Sequence, residues 1–292
     1  MFNVIRRGLS DIRRKYVPLI KSLQTGLLLI TGLAGYASAK CPVIHWQTLL
    51  VVGGSLLLAI SGSTVLNMWY DRDLDAKMER TRARPLPSGK VTPREALNLG
   101  LLLSFLGVGW ALLINPLYGL VVFSGLFFDV AVYTIWLKRR TAWSIIWGGV
   151  SGGMPILAGR VMGVGHIDWV GLALALGVLL WIPTHIMTFN MRYADDYQRA
   201  AIPTFPSPYG DQMTRVTIAL SSVLAAFTMG AAAYGVGMTV GCLRILVVLS
   251  GGLLYLAVSS TSQPSEHLNY GLFKYASLYM LSAMLLMIID MI

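Results

Sequence analysis

Residues 46–75 read WQTLLVVGGSLLLAISGSTVLNMWYDRDLD. The run from Trp46 to Tyr70 carries no charge and exceeds the roughly 20 apolar residues a helix needs to cross a bilayer. Asp71, Arg72, Asp73 and Asp75 follow at once. A membrane helix that ends in a burst of carboxylates decides how the rest of the chain is read, because it predicts an acidic site at one membrane face.

Working outward, the same apolar pattern recurs along the chain. Hydrophobic residues make up 55% of the 292 and charged residues only 12%, against about 25% charged in an ordinary soluble domain. Lipid must therefore face most of the surface. The runs are unbroken rather than alternating, which excludes a β-barrel. They predict crossings near 17–39, 46–70, 94–114, 116–137, 142–163, 168–191, 214–234, 236–260 and 271–292. The expected fold is thus all-α, a polytopic bundle of about nine transmembrane helices, with 1–292 as a single transmembrane domain and 1–16 as its basic cytoplasmic segment. That segment does not read as a signal peptide, since the span behind it is too long and no small-residue cleavage site ends it.

The net charge of +10 is explained by topology rather than by nucleic acid. Lys and Arg gather in alternate loops: Arg6, Arg7, Arg13, Arg14 and Lys15, then 71–93, Lys138-Arg139-Arg140, 192–213 and 261–270. By the positive-inside rule this side is cytoplasmic, with the N-terminus inside and the C-terminus outside the cell membrane. Cys41 and Cys242 show no metal-ligand or disulfide spacing and read as packing residues.

Two of the basic loops are also acidic, which topology does not require. Asn67, Asp71 and Asp75 recur every four residues and share one helix face. An amide oxygen and two carboxylates in that pattern are hard ligands suited to Mg²⁺. Like charges at this spacing destabilise a helix unless a cation lies between them. Downstream, Lys77, Arg80, Arg82 and Arg84 match phosphate oxygens. The plainer alternative is a solvated helix end with pairs such as Asp73 with Lys77. After the sixth span come Arg192, Tyr193, Asp195, Asp196 and Arg199 on the same membrane face, a candidate second Mg²⁺ cluster or a charged loop tethered by its own arginines. Pro183 predicts a kink, a freed carbonyl and hence a cavity beside His185. His185 is either a ligand in that cavity or a hydrogen-bonded interior histidine. Asp129, Arg160 and Arg244 lie inside apolar spans, where each costs about 2.5–3.5 kcal/mol at a helix centre. They are expected to face the bundle interior or to snorkel, with Asp129 turned toward the central cavity.

These residues resemble the UbiA-type membrane prenyltransferase superfamily, which has an Asn-x-x-x-Asp-x-x-x-Asp motif after its second helix and an aspartate-rich loop after its sixth. Within it the chain is similar to the branch that farnesylates protoheme IX. The matching segments are Asn67 to Asp75 with Glu79-Arg80-Thr81 and Arg84-Pro85-Leu86-Pro87, Tyr133-Thr134 with Leu137-Lys138-Arg139-Arg140-Thr141, Gly148-Gly149 through Gly152, Pro155 and Gly159, Trp181 through Pro183 with His185, and Asp195-Asp196-Tyr197 through Arg199-Ala200-Ala201-Ile202-Pro203. Departures are Met154-Pro155 and Pro183-Thr184 in place of paired prolines, Ala201 in place of a glycine, and Thr204-Phe205-Pro206 in place of Met-Leu-Pro. Asp129 is not part of the resemblance.

The resemblance implies a bundle around a cavity open sideways to lipid, and Mg²⁺-dependent transfer of farnesyl from farnesyl diphosphate to the vinyl group of heme B, giving heme O. It implies that Asn67, Asp71, Asp75, Asp195 and Asp196 hold Mg²⁺, two ions bridging the diphosphate. Asp71, Asp75, Asp196 and Lys138 would be catalytic. Lys77, Arg80, Arg84, Arg139, Arg192, Tyr193, Arg199, Tyr133 and His185 would bind substrate, His185 as a heme iron ligand. The implied partners are farnesyl diphosphate, heme B, membrane lipid, and a heme A synthase or terminal oxidase assembly that takes the product. A quinone precursor or a lipid is the alternative acceptor, and an ion-coupled transporter the alternative class.

Overall fold

The computed structural model describes residues 15–40 and 46–290; Arg6, Arg7, Arg13, Arg14, Cys41 and His45 lie outside them. Among the described residues the long helices are α1 (Ser22–Ala37), α2 (Trp46–Tyr70), α3 (Pro93–Ile114), α4 (Pro116–Phe127, continued as a π-helix over Phe128–Leu137), α5 (Ser144–Val164), α6 (Trp169–Arg192), α7 (Pro206–Val236), α8 (Val240–Ser262) and α9 (Glu266–Ile289). Seven are long and apolar enough to cross a membrane by length and composition. The other two are α1, which has 16 residues, and α5, which has 21.

The helices start where the sequence supplies caps. Thr92 and Glu95 form a reciprocal capping box at α3, Asn115 accepts from Leu117 and Tyr118 at α4, and Asp168 accepts from Gly171 at α6. Each such cap satisfies amides that have no partner within the helix and stabilises it by about 1 kcal/mol. Two starts fall earlier than the apolar runs predict. Helix α7 begins at Pro206 because a first turn is joined to it across Gly210 (φ 75°), and α9 begins at Glu266 because Ser265 caps it.

Lipid gives apolar side chains no reason to prefer a neighbouring helix, so close backbone approach through small residues must hold the bundle together. A Cβ placed on Gly35 would collide with the Ile156 carbonyl, and one on Gly159 with the Gly32 carbonyl, which locks α1 against α5. Gly62 and Gly107 do the same between α2 and α3. Large side chains such as Phe105, Leu113 and Phe227 face outward. Arg160 is buried, and its guanidinium reaches Asp168 at 2.6 Å and the Ser38 carbonyl. Arg244 is exposed near the start of α8. Pro183 lies within an unbroken α6, so the expected kink does not end the helix. Around it, Ser221 donates to the Leu180 carbonyl and Thr184 bonds Ser222 at 2.8 Å.

The acidic loops contain short helices, Arg72–Lys77 and Ala194–Arg199. Leu74 and Met78 from the first pack with Ala200 and Ile202 from the second. This small apolar contact brings two loops more than 100 residues apart over one end of the bundle.

Candidate active site

A cavity of about 770 Å³ runs between α1, α2, α4, α5, α6 and α9, within the roughly 300–1,000 Å³ common for ligand sites. Its polar lining includes Lys21, Asn67, Asp129 and Tyr133 at one end, and the rest of the wall, including Ile60, Pro155 and Met284, is mainly apolar, with His185 among it. Leu23 and Leu278 line it while 80% and 53% exposed, so the cavity reaches the bundle surface between α1 and α9.

At the end of α2 the predicted stripe forms. Asp71 donates its backbone N–H to the Asn67 carbonyl and Asp75 donates to Asp71 (2.9 and 2.8 Å), so the helical register continues through the motif. Both Asp71 and Asp75 are buried, and each meets a cation. Lys138 donates to Asp71, and Arg84 bridges both Asp75 oxygens at 2.9 and 2.8 Å. Burial opposes the Lys138 charge, but Tyr133 and Asp71 hold its pKa above the ordinary value. Asn67 Oδ1 and Asp71 Oδ1 are buried without a hydrogen-bond partner. Buried oxygens one helical turn apart that accept no hydrogen bond suit a hard cation, which takes oxygen ligands and tolerates several waters and phosphate oxygens besides.

The second loop meets the first through Asp196. Asp196 is buried, accepts from the Glu79 backbone N–H at 3.1 Å and pairs with Arg199 at 2.6 Å. Burial works against its charge, yet the Arg199 bond and the Glu79 and Arg80 amides hold its pKa below the usual carboxylate value. Asp196 thereby ties the two acidic loops together. Asp195 is exposed, and among the described residues no three acidic, His or Cys side chains form a closed metal cluster. Lys138, Arg84 and Arg199 each pair with a separate one of these carboxylates, Asp71, Asp75 and Asp196.

Among the expected phosphate ligands, Arg84 and Lys138 stand at the site, partly buried beside the carboxylates. Arg80 lies over the rings of Phe189 and Tyr193 at 4.8 and 5.5 Å. Arg139 stays within 3.9 Å of Asp71 Oδ1, but its hydrogen bonds turn away from the cavity, to Asp73 at 2.8 and 2.7 Å and the Tyr70 carbonyl at 2.9 Å, closing the end of α2. Its bond holds the Asp73 carboxyl below its usual pKa. Asp73 is thus partnered by Arg139 and not by Lys77, which is exposed. Arg192 is likewise turned outward, 3.9 Å from the Tyr270 ring. His185 lines the cavity, stacked between Trp181 and Phe273 with Nδ1 3.1 Å from Ser277 Oγ. It bonds Ser277 and no backbone carbonyl near Pro183.

Two residues at the polar end were not assigned a site role from the sequence. Lys21 sits in left-handed backbone (φ 42°) between the 3-10 turn Val17–Ile20 and α1, lines the cavity, and has no ion-pair partner among the described residues. A lysine inside a predicted span is expensive in lipid, and that cost is the signal that marks it. Asp129 accepts from Asn67 Nδ2 at 2.7 Å and from Ser63 Oγ.

Residues 28–278 match the UbiA prenyltransferase family. The chain is 44% identical to a protoheme IX farnesyltransferase of Korarchaeum cryptofilum over 76% of its length and 73% of the relative's. It is 39% identical to one of Archaeoglobus fulgidus over 90% and 92%. In fold it is similar to the structure of a digeranylgeranylglyceryl phosphate synthase, with a TM-score of 0.79 at 20% identity over 95% and 98% of the two chains. It is also similar to a UbiA homolog from Archaeoglobus fulgidus bound to GPP and Mg²⁺, with a TM-score of 0.71 at 16% identity over 94% and 99%. Together with the apolar helices these likenesses make it an integral membrane prenyltransferase and set aside the transporter alternative. The chain belongs to the UbiA prenyltransferase family, on the branch that carries the protoheme IX farnesyltransferases.

Proposed function

We propose that the protein transfers a farnesyl group from farnesyl diphosphate to a vinyl group of heme B, giving heme O and diphosphate, at a Mg²⁺-dependent site facing the cytoplasm. The observation that carries this reading is a single cavity with Asn67 and Lys21 at a polar end and His185 in an apolar body. The names of the 44% and 39% identical relatives support heme as the acceptor.

Asn67 Oδ1 and the Asp71 and Asp75 carboxylates would hold Mg²⁺, with Asp196 keeping the second loop closed over them. Bound Mg²⁺, one or two ions, supplies charge neutralisation that makes diphosphate a better leaving group. Lys138, Arg84 and Lys21 take the remaining phosphate oxygens, and Arg80 stands at the rim. The C–O bond to diphosphate breaks, the heme vinyl carbon bonds to the allylic carbon, and water adds to the cation left on the heme side, its proton passing to solvent or to the released diphosphate. The apolar body holds the prenyl chain in place and keeps water from the first cation. His185, about 10 Å along the helix axis from the end of α6 at 1.5 Å per residue, holds the heme by its iron. The Lys and Arg bias of the acidic-loop side supports a cytoplasmic site with the N-terminus inside.

Purified protein incubated with heme B, farnesyl diphosphate and Mg²⁺ should yield heme O by mass. Prenylation of a quinone precursor or a glycerol phosphate lipid instead, with heme untouched, would refute the acceptor and retain the site.

A further inference from the structure

Helix α4 changes at Phe128 into ten residues of π-helix, a rare form that gathers at functional sites. Its register closes on Lys138, whose N–H bonds the Tyr133 carbonyl at 2.8 Å. Asp129 and Lys138 are nine residues apart. In an α-helix nine residues make about two and a half turns, which would set the two on opposite sides. In the wider i→i+5 helix they make close to two turns and fall on one side. Both then meet the same stripe of α2: Asp129 meets Ser63 and Asn67, and Lys138 meets Asp71.

We propose that Asp129 is a positioning residue for the cation–diphosphate site, holding the Asn67 amide so that its oxygen faces the cation. The inference rests on the metal site proposed above. A carboxylate only accepts hydrogen bonds. With Asp129 Oδ2 receiving both Ser63 Oγ and Asn67 Nδ2, the amide cannot turn over without setting two oxygens against each other. That leaves Asn67 Oδ1 as the free end, and it is the buried oxygen without a partner. An amide turned the other way would present N–H groups to a cation, which repels it. The π register is the device that brings Asp129 to this task while keeping Lys138 on Asp71.

The test measures Mn²⁺ binding by electron paramagnetic resonance, with the unreactive analogue farnesyl thiodiphosphate present, on the full chain in lipid nanodiscs. Partners of metal ligands typically carry 10–100-fold of affinity, so Asp129→Ala should bind Mn²⁺ roughly tenfold more weakly while its melting temperature is kept. Its transfer rate should recover as Mg²⁺ is raised. Asp129→Leu, close in size and unable to accept the Asn67 amide, should also bind more weakly; it decides the matter if Asp129→Ala does not fold. Unchanged Mn²⁺ affinity in a folded Asp129 variant would overturn the proposal. Asp71→Asn separates the two levels: if it loses Mn²⁺ while the Asp129 variants do not, the site stands and this inference fails, and if it too keeps Mn²⁺, the site reading itself fails.

Discussion

Removing Arg84 tests whether the pair it makes with Asp75 is structural, functional or both. The Asp75 side chain is 8% exposed and Arg84 26%, and both carboxylate oxygens rest on Arg84 Nη1. Breaking a buried pair from one side typically costs about 3–5 kcal/mol, because a buried charge is left alone. The part of Arg84 open to water weakens the pair, so roughly 2–3 kcal/mol is expected for Arg84→Met. At about 2–4 °C per kcal/mol for a chain of this size, that is a fall of roughly 5–10 °C in Tm in nanodiscs. Asp75→Leu combined with Arg84→Met removes both charges and should regain most of that loss, since replacing a buried pair by apolar side chains is often neutral. Heme O formation should stay absent in the single and the double variant, because the carboxylate near the metal is gone or unsupported. Transfer restored along with Tm in the double variant would refute a catalytic part for Asp75, and a Tm unmoved by Arg84→Met would refute the energetic argument.

Lys21→Met should raise KM for farnesyl diphosphate roughly tenfold or more with kcat little changed, the usual worth of a hydrogen bond to a charged group; an unchanged KM would take Lys21 out of the phosphate site. His185→Ala should weaken heme binding and shift the Soret band, whereas an identical spectrum and affinity would reduce His185 to the partner of Ser277. A cysteine in place of the exposed Ser88 should react with an impermeant reagent only from the cytoplasmic side, and labelling from outside would overturn the orientation. Ala201 adopts φ 54°, a left-handed conformation that costs a residue with Cβ about 1–2 kcal/mol; Ala201→Gly should therefore raise Tm by a few degrees, offset in part by the looser unfolded chain, and a lowered Tm would refute the strain argument.

The position of the helices was legible because lipid imposes length and apolarity on each span, and the Asn67, Asp71 and Asp75 stripe because four-residue spacing is a property of the helix itself. The partners of those acids were not. Asp73 has Lys77 four residues away, yet pairs with Arg139, 66 positions along the chain. Asp75 takes Arg84 because the loop between them turns back, held by Thr81 Oγ1 on the Asp75 carbonyl. Asp196 reads as a candidate metal ligand, and nothing in its own loop foretells that the apolar contact of Leu74 and Met78 with Ala200 and Ile202 also brings the Glu79 amide to it. Such choices depend on how loops fold over one another, and residue spacing within one loop carries no record of that.

The π-helix was hidden for a different reason. Residues 128–137 read FDVAVYTIWL, apolar apart from Asp129 and Thr134 and without Pro or Gly, so nothing in their periodicity announces a change of turn. The requirement lies at the two ends. An aspartate turned toward lipid at a helix centre costs about 2.5–3.5 kcal/mol, and a buried Asp71 without Lys138 loses its hydrogen-bonded cation and keeps only Arg139 at 3.9 Å, which is costly as well. An α-helical register can satisfy Asp129 or Lys138 on the α2 stripe but not both, since nine residues carry it to the opposite side. Widening the turn satisfies both at the expense of poorer helix geometry. Two charges nine apart at the ends of an apolar segment, facing acids and amides spaced four apart on a neighbouring helix, are therefore the sequence pattern in which such a turn should be sought.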